Sequence, residues 1–151
     1  MKPKIKKEIS IINRKASFLY ETIEEYEAGI ILFGTEIKSI RAGGVSFSDS
    51  YCYIKEGEIF VKNLHIAEYK NASFNQHEPK RDRKLLLNKR EIRKLKEKMM
   101  EKGLTIVPSK LFINVRGLAK VVVILAKGKN LKSKRDTLRE RDLDREIRDN
   151  S

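Results

Sequence analysis

Lys120-Val121-Val122-Val123-Ile124-Leu125-Ala126 is the strongest strand-forming run in the chain. Consecutive side chains branched at Cβ favour extended backbone over helix. Several shorter runs share this character. Phe18-Leu19-Tyr20-Glu21-Thr22-Ile23 is β-rich with imperfect alternation, and Ala28-Gly29-Ile30-Ile31-Leu32-Phe33-Gly34 reads as a buried strand. Tyr51–Lys55 and Glu58–Lys62 flank Glu56-Gly57, a hairpin signal. Gly103–Val107 and Leu111–Val115 are strand-like as well. Six or seven short strands in one small domain predict a closed antiparallel barrel, because closure removes exposed sheet edges.

Two helices interrupt these strands. Thr35 can cap a short helix through Arg41, with Ile37 and Ile40 on one face and Gly43 as the stop. Asn88 is an N-cap with Glu91 three residues on, and Ile92, Leu95 and Met99 make an apolar stripe before Gly103. The opposite face carries Lys89, Arg90, Arg93, Lys94, Lys96 and Lys98. That face is either a solvated surface or a direct RNA contact.

The fold expected is therefore mainly β with accessory helices (α+β), with residues 1–126 as one domain and 127–151 as a tail. With 151 residues, 40% of them hydrophobic, the chain supports one core. No apolar run approaches a membrane span, and no apolar segment follows the basic N-terminus as a secretory signal would require. A single cysteine, Cys52, and two histidines, His65 and His77, leave no thiolate zinc cage and no multi-histidine site. A cytosolic domain with no metal, cofactor or small-molecule substrate is expected.

Charge points to a partner. The net charge is +13, and it is uneven: residues 1–15 carry +5, 16–78 carry −5 and 79–102 carry +7. Such clustering favours a polyanion. Nucleic acid fits better than an anionic membrane, because no basic segment has a large apolar face.

The tail differs in kind. Its larger apolar residues are Leu131, Leu138, Leu143 and Ile147, too few to fold alone. Yet Ser133-x-x-Asp136 resembles a capping box, and Asp136/Arg139, Asp142/Arg145 and Asp144/Arg148 fall at helical spacing. The tail is read as disordered when free and helical against an anionic partner; a frayed end without function is the alternative.

Catalysis finds little support. Ala42-Gly43-Gly44 lacks the Lys-Ser/Thr of a phosphate loop. Glu24, Glu25 and Glu27 have no Asp or His nearby to make an acid/base pair or a magnesium site, which favours solvation or contacts to RNA amines. Cys52 between Tyr51 and Tyr53 reads as a core thiol, and His77 before Glu78-Pro79 as a turn residue. The chain reads as a binding protein.

Several strings together resemble one family, small protein B (SmpB), which binds transfer-messenger RNA (tmRNA). They are Asn13-Arg14-Lys15-Ala16, Tyr26-Glu27-Ala28-Gly29-Ile30, Gly34–Gly43, Asp49-Ser50-Tyr51, His77-Glu78-Pro79, Arg83–Glu91, Glu101–Thr105, Ala126–Lys129 and Lys134-Arg135. Their order and spacing, from about Ile9 to Arg148, make the set specific. The resemblance implies an OB-fold-like barrel that binds the tRNA-like domain of tmRNA. It also implies a role in trans-translation, the rescue of stalled 70S ribosomes, with the tail in the vacant mRNA channel near the decoding centre. It implies no chemistry, and a monomer is expected.

By the same resemblance, Asn13, Glu27 and Leu86 match residues linked to tmRNA binding. Glu27 can accept hydrogen bonds from base or ribose donors, which a lysine cannot do. Lys38, Arg41, Arg83 and Lys84 suit phosphates and unstacked bases. Leu86 either touches a base or packs inward. Gly128, Lys129, Lys134 and Arg135 match the tail motif used on the ribosome. The chain departs from the family at Ser133, where Asp is common, at Asn130, where Lys is usual, and at Phe18, where many members have His. The Asn114–Leu118 turn is one residue longer than usual. The competing readings are a generic OB-fold RNA binder or translation factor, disfavoured by the 7% aromatic content, and a metal-dependent nuclease using the Glu24/Glu25/Glu27 cluster.

Overall fold

The computed structural model describes residues 8–69, 76–101 and 103–128. In chain order, β1 (Ile9–Ile12) leads into α1 (Arg14–Leu19), β2 (Tyr20–Ile30) and α2 (Gly34–Arg41). After these come β3 (Val45–Ser46), β4 (Tyr51–Lys55), β5 (Glu58–Lys62), β6 (His65–Ile66) and β7 (Arg83–Leu86). The described chain closes with α3 (Lys89–Lys98), β8 (Leu104–Ile113) and β9 (Ala119–Gly128). Among the described residues, β8-β4-β5-β7-β2-β9 form a ring that closes where β9 pairs with β8, all neighbours antiparallel. β1 adds to β8, and β3 pairs with β6 apart from the ring. This is the closed barrel that the short strands require.

The β4–β5 hairpin turns on Glu56 (φ 53°) and Gly57 (φ 75°), the two positive φ values that match strand twist. β9 explains its own composition. Val121, Val123 and Leu125 point into the barrel core. Ile124 and Ala126, on the other face, pack with Val107 and with Ala16 of α1. Between Val123 and Ala126 both faces of the strand are covered, which leaves no position there for a polar side chain.

Three strand expectations are corrected. Phe18 and Leu19 end α1, so the strand begins at Tyr20; it then runs unbroken to Ile30, leaving Ile31–Phe33 outside it. The two runs at 103–115 are one strand, β8, with a register shift between Pro108 and Lys110. A bulge tolerates a proline, which has no N–H to give to the ladder. β9 continues past Ala126, pairing Lys127 with Glu21 and Gly128 with Tyr20. Gly128 therefore belongs to the barrel and not to a tail, while Lys129, Lys134 and Arg135 lie outside the described residues.

The caps follow the sequence at one helix and not at the other. Asn88 caps α3, its Oδ1 accepting from the Glu91 N–H at 2.8 Å while Glu91 Oε1 accepts from the Asn88 N–H at 3.2 Å. Ile92 and Leu95 bury the inner stripe of α3 in the core. At α2 the N-cap is Phe33, not Thr35. The Thr35 hydroxyl bonds His77 Nδ1 at 2.9 Å instead. His77 is buried, and its Nε2–H donates to the Ile66 carbonyl at 2.8 Å, so it joins α2 to β6 and is more than a turn residue.

Candidate nucleic-acid interface

Period-two geometry sorts the predicted residues of β2 and β7 into outward and inward sets. On β2, Glu25 and Glu27 face out while Ala28 and Ile30 are buried. On β7, Lys84 and Leu86 face out while Arg83 and Leu85 are buried. Gly29 lies opposite Leu86, and a Cβ there would come within 3.3 Å of the Leu86 Cβ. With no side chain at Gly29, Leu86 stands 51% exposed beside a shallow groove shared with Leu118 and Lys120. Leu86 thus points outward and does not pack into the core. Lys120 pairs with Gly29 from β9, and its Nζ sits 3.7 Å from Glu27 Oε1. A carboxylate, an apolar side chain and a lysine converge on one face.

Arg83 is a correction. Its side chain is fully buried, and its Nε–H donates to Glu36, equally buried on α2. The remaining donors go to the carbonyls of Leu64 (2.6 Å), Arg81 (3.2 Å) and Pro79 (3.0 Å). Its parity with Leu85 sends it inward, so it presents no guanidinium to a phosphate. Burial pushes the Arg83 pKa down, partly offset by the Glu36 carboxylate. Burial alone would raise Glu36, but hydrogen bonds from Arg81, the Phe33 N–H and Arg83 outweigh it and hold the carboxyl below its usual value.

Asn13 is a scaffold residue. It caps α1 by accepting from the Ala16 N–H at 3.3 Å, and its Nδ2–H donates to the Pro108 carbonyl at 2.7 Å. Its own N–H donates to the Ser109 carbonyl at 2.8 Å, so the β8 bulge supplies both acceptors. Buried in that role, Asn13 positions α1 against the β8 bulge.

The other cations are outward. Lys84 pairs with Glu58 at 2.8 Å, an exposed bridge of little energetic weight. Lys38 lies over the Tyr69 ring, 5.6 Å from its centroid, and Arg41 ends α2. The acidic cluster is divided. Glu24 binds Lys98 and lies 3.9 Å from Lys94, tying β2 to α3, and accepts from the Tyr26 hydroxyl. The bonds from Lys98 and Tyr26 lower the Glu24 pKa, while burial and the Glu24 bond push Tyr26 up to about 12. Among the described residues no three His, Cys, Asp or Glu side chains are placed to hold a metal ion. Cys52 is buried, and burial pushes its thiol pKa up, away from nucleophilic use. Among the described residues no helix is long and apolar enough to cross a membrane.

Two residues escaped the sequence reading. Glu36 stands in the sequence only as part of the Gly34–Gly43 string, although an acid three residues after a helix N-cap is a capping signal. Phe33 looked like strand interior, yet it is 55% exposed.

A small closed barrel with an outward patch of mixed charge and apolar surface defines a nucleic-acid-binding protein of the OB-like class. The family comparison narrows this. The model of the SmpB protein family matches residues 10–151, and the chain belongs to that family. It is 58% identical over 139 residues to an SsrA-binding protein of Phocaeicola vulgatus, covering 92% of this chain and 93% of the relative. An SsrA-binding protein of Thermosipho melanesiensis is 50% identical over 137 residues, covering 91% and 93%. A solved structure described as "tmRNA-SmpB: a journey to the center of the bacterial ribosome" superposes with a TM-score of 0.71 at 46% identity, covering 86% of this chain and 94% of that one.

Proposed function

We propose that this chain binds tmRNA, the SsrA RNA, through its tRNA-like domain, and brings it to stalled ribosomes in the cytoplasm for trans-translation. The protein acts as a monomeric binding partner and does no chemistry itself. The observation that carries the reading is the outward face where Glu27, Leu86 and Lys120 meet. It sits on a chain whose relatives are named for binding SsrA. Folded RNA offers ribose hydroxyls, base donors and unstacked base faces together, and this face has an acceptor, a cation and an apolar contact to match. Lys38, Arg41 and Lys84 supply the electrostatic attraction to phosphates. Residues 129–151, with Lys129, Lys134 and Arg135, are assigned to the vacant mRNA channel near the decoding centre.

Equilibrium binding to labelled SsrA RNA, against excess unrelated structured RNA of equal length, tests this. Retention of the SsrA complex under competition supports it. Equal displacement by either RNA reduces the chain to a generic RNA binder, and cleavage of the RNA in magnesium ends the binding-only reading.

A further inference from the structure

Phe33 breaks a rule of helix construction. It is the N-cap of α2, where Ser, Thr, Asp or Asn supplies an oxygen to the first turn, and an aromatic ring supplies none. Only the return half of the cap is made, the Glu36 carboxylate accepting from the Phe33 N–H at 2.8 Å. A residue that weakens local structure without a gain to the fold is the kind found at functional sites.

The ring is also fixed in place. The Arg81 guanidinium lies 4.2 Å from its centroid, and that guanidinium is itself held by Glu36 and by the Ile31 carbonyl at 3.2 Å. Arg81 is therefore a fixed backing to the ring, while Phe33 remains 55% exposed.

Its position continues the RNA face. The outward parity of Glu27 and Gly29 extends through Ile31, 47% exposed, to Phe33, whose backbone is still extended (φ −80°, ψ 160°). The Ile31 N–H bonds the Lys84 carbonyl at 3.1 Å, so this segment still runs alongside β7. Four residues of extended chain span at most about 13 Å, which sets the reach from Gly29, facing Leu86, to Phe33. Lys38 and Arg41 follow on α2, the helix that begins beside the ring, with charge suited to a phosphate chain.

We propose that Phe33, backed by Arg81, is a stacking platform for an unpaired nucleobase of the bound RNA, extending the Glu27–Leu86 face to α2. This rests on the tmRNA reading and adds a contact to it. A pre-ordered ring loses little freedom on binding, and any base has a π-face to offer it.

The chain has no tryptophan, so Phe33→Trp introduces a single tryptophan at the platform, excited selectively above the absorption of the tyrosines. Titrated with SsrA RNA, this variant should bind like the parent and its fluorescence should be quenched. Ile12→Trp, on β1, should keep its emission. Phe33→Ser supplies the missing cap oxygen, so it should melt close to the parent temperature while its affinity falls about 5- to 100-fold, the range for losing one base–aromatic stack. Parent-like affinity in Phe33→Ser, or an unquenched Phe33→Trp in the complex, overturns the platform and leaves the tmRNA reading standing. If the parent itself fails to bind SsrA RNA, both fall together.

Discussion

The Glu36 carboxylate and the Arg83 guanidinium meet with both side chains fully buried, joining α2 to β7 across 47 residues of sequence. This pair lies under the helix that carries Lys38 and Arg41 and under the strand that carries Lys84 and Leu86. It holds the two halves of the proposed RNA face in register.

Glu36→Gln should therefore destabilise the fold by about 3–5 kcal/mol at neutral pH, because it leaves a buried guanidinium without its counter-charge. Since the folded pKa of Glu36 is lowered, its stabilisation is complete above the ordinary value of 4.5 and is lost as pH falls through the folded value. Urea denaturation from neutral to about pH 3 should show a shallower acid-side loss in Glu36→Gln than in the parent. An unchanged acid limb would mean that Glu36 is not the titrating anchor.

Asn13→Ala should cost about 1–2 kcal/mol of stability, the range for a lost cap. Because Asn13 is buried at the β8 bulge, its folded fraction should bind SsrA RNA as the parent does. A drop in affinity larger than the unfolded fraction explains would return Asn13 to the interface.

For Glu27→Ala the sign decides. Removing a negative charge strengthens RNA binding if electrostatics alone governs. If Glu27 accepts from a base or ribose donor, binding weakens by about 1–3 kcal/mol. Weakening is expected at moderate salt in a filter-binding assay.

A chain ending after Gly128 keeps the whole of β9. It loses eight basic and six acidic residues, a net +2 of the +13. Its affinity for the tRNA-like domain should fall by about 10-fold or less. Leu143→Pro should bind tmRNA normally but fail to support tagging on stalled ribosomes, because proline interrupts a helix at about 3 kcal/mol. Normal tagging by this variant would remove helix formation from the mechanism.

What could be read in advance was local. Glu56-Gly57 between two alternating runs means a hairpin wherever it occurs, and Asn88 with Glu91 means a helix start. What escaped depended on partners distant in sequence. Gly103–Val107 and Leu111–Val115 read as two runs, whereas a bulge at Pro108 joins them and supplies acceptors to Asn13. Arg83 was weighed by charge, although its parity with Leu85 already placed it inward. Phe33 could not be recognised as a cap because nothing in its chemistry caps, and the Arg81 that holds its ring is distant in sequence.

Affinity capture of the chain from lysed cells, followed by sequencing of the bound RNA, tests the central claim most directly. The parent chain should recover one abundant structured RNA, SsrA, far above its cellular share, and a Glu27→Ala/Leu86→Ala double variant should lose that enrichment. A broad RNA population with no excess of SsrA, or equal SsrA recovery by the double variant, would contradict recognition through the β2–β7 face.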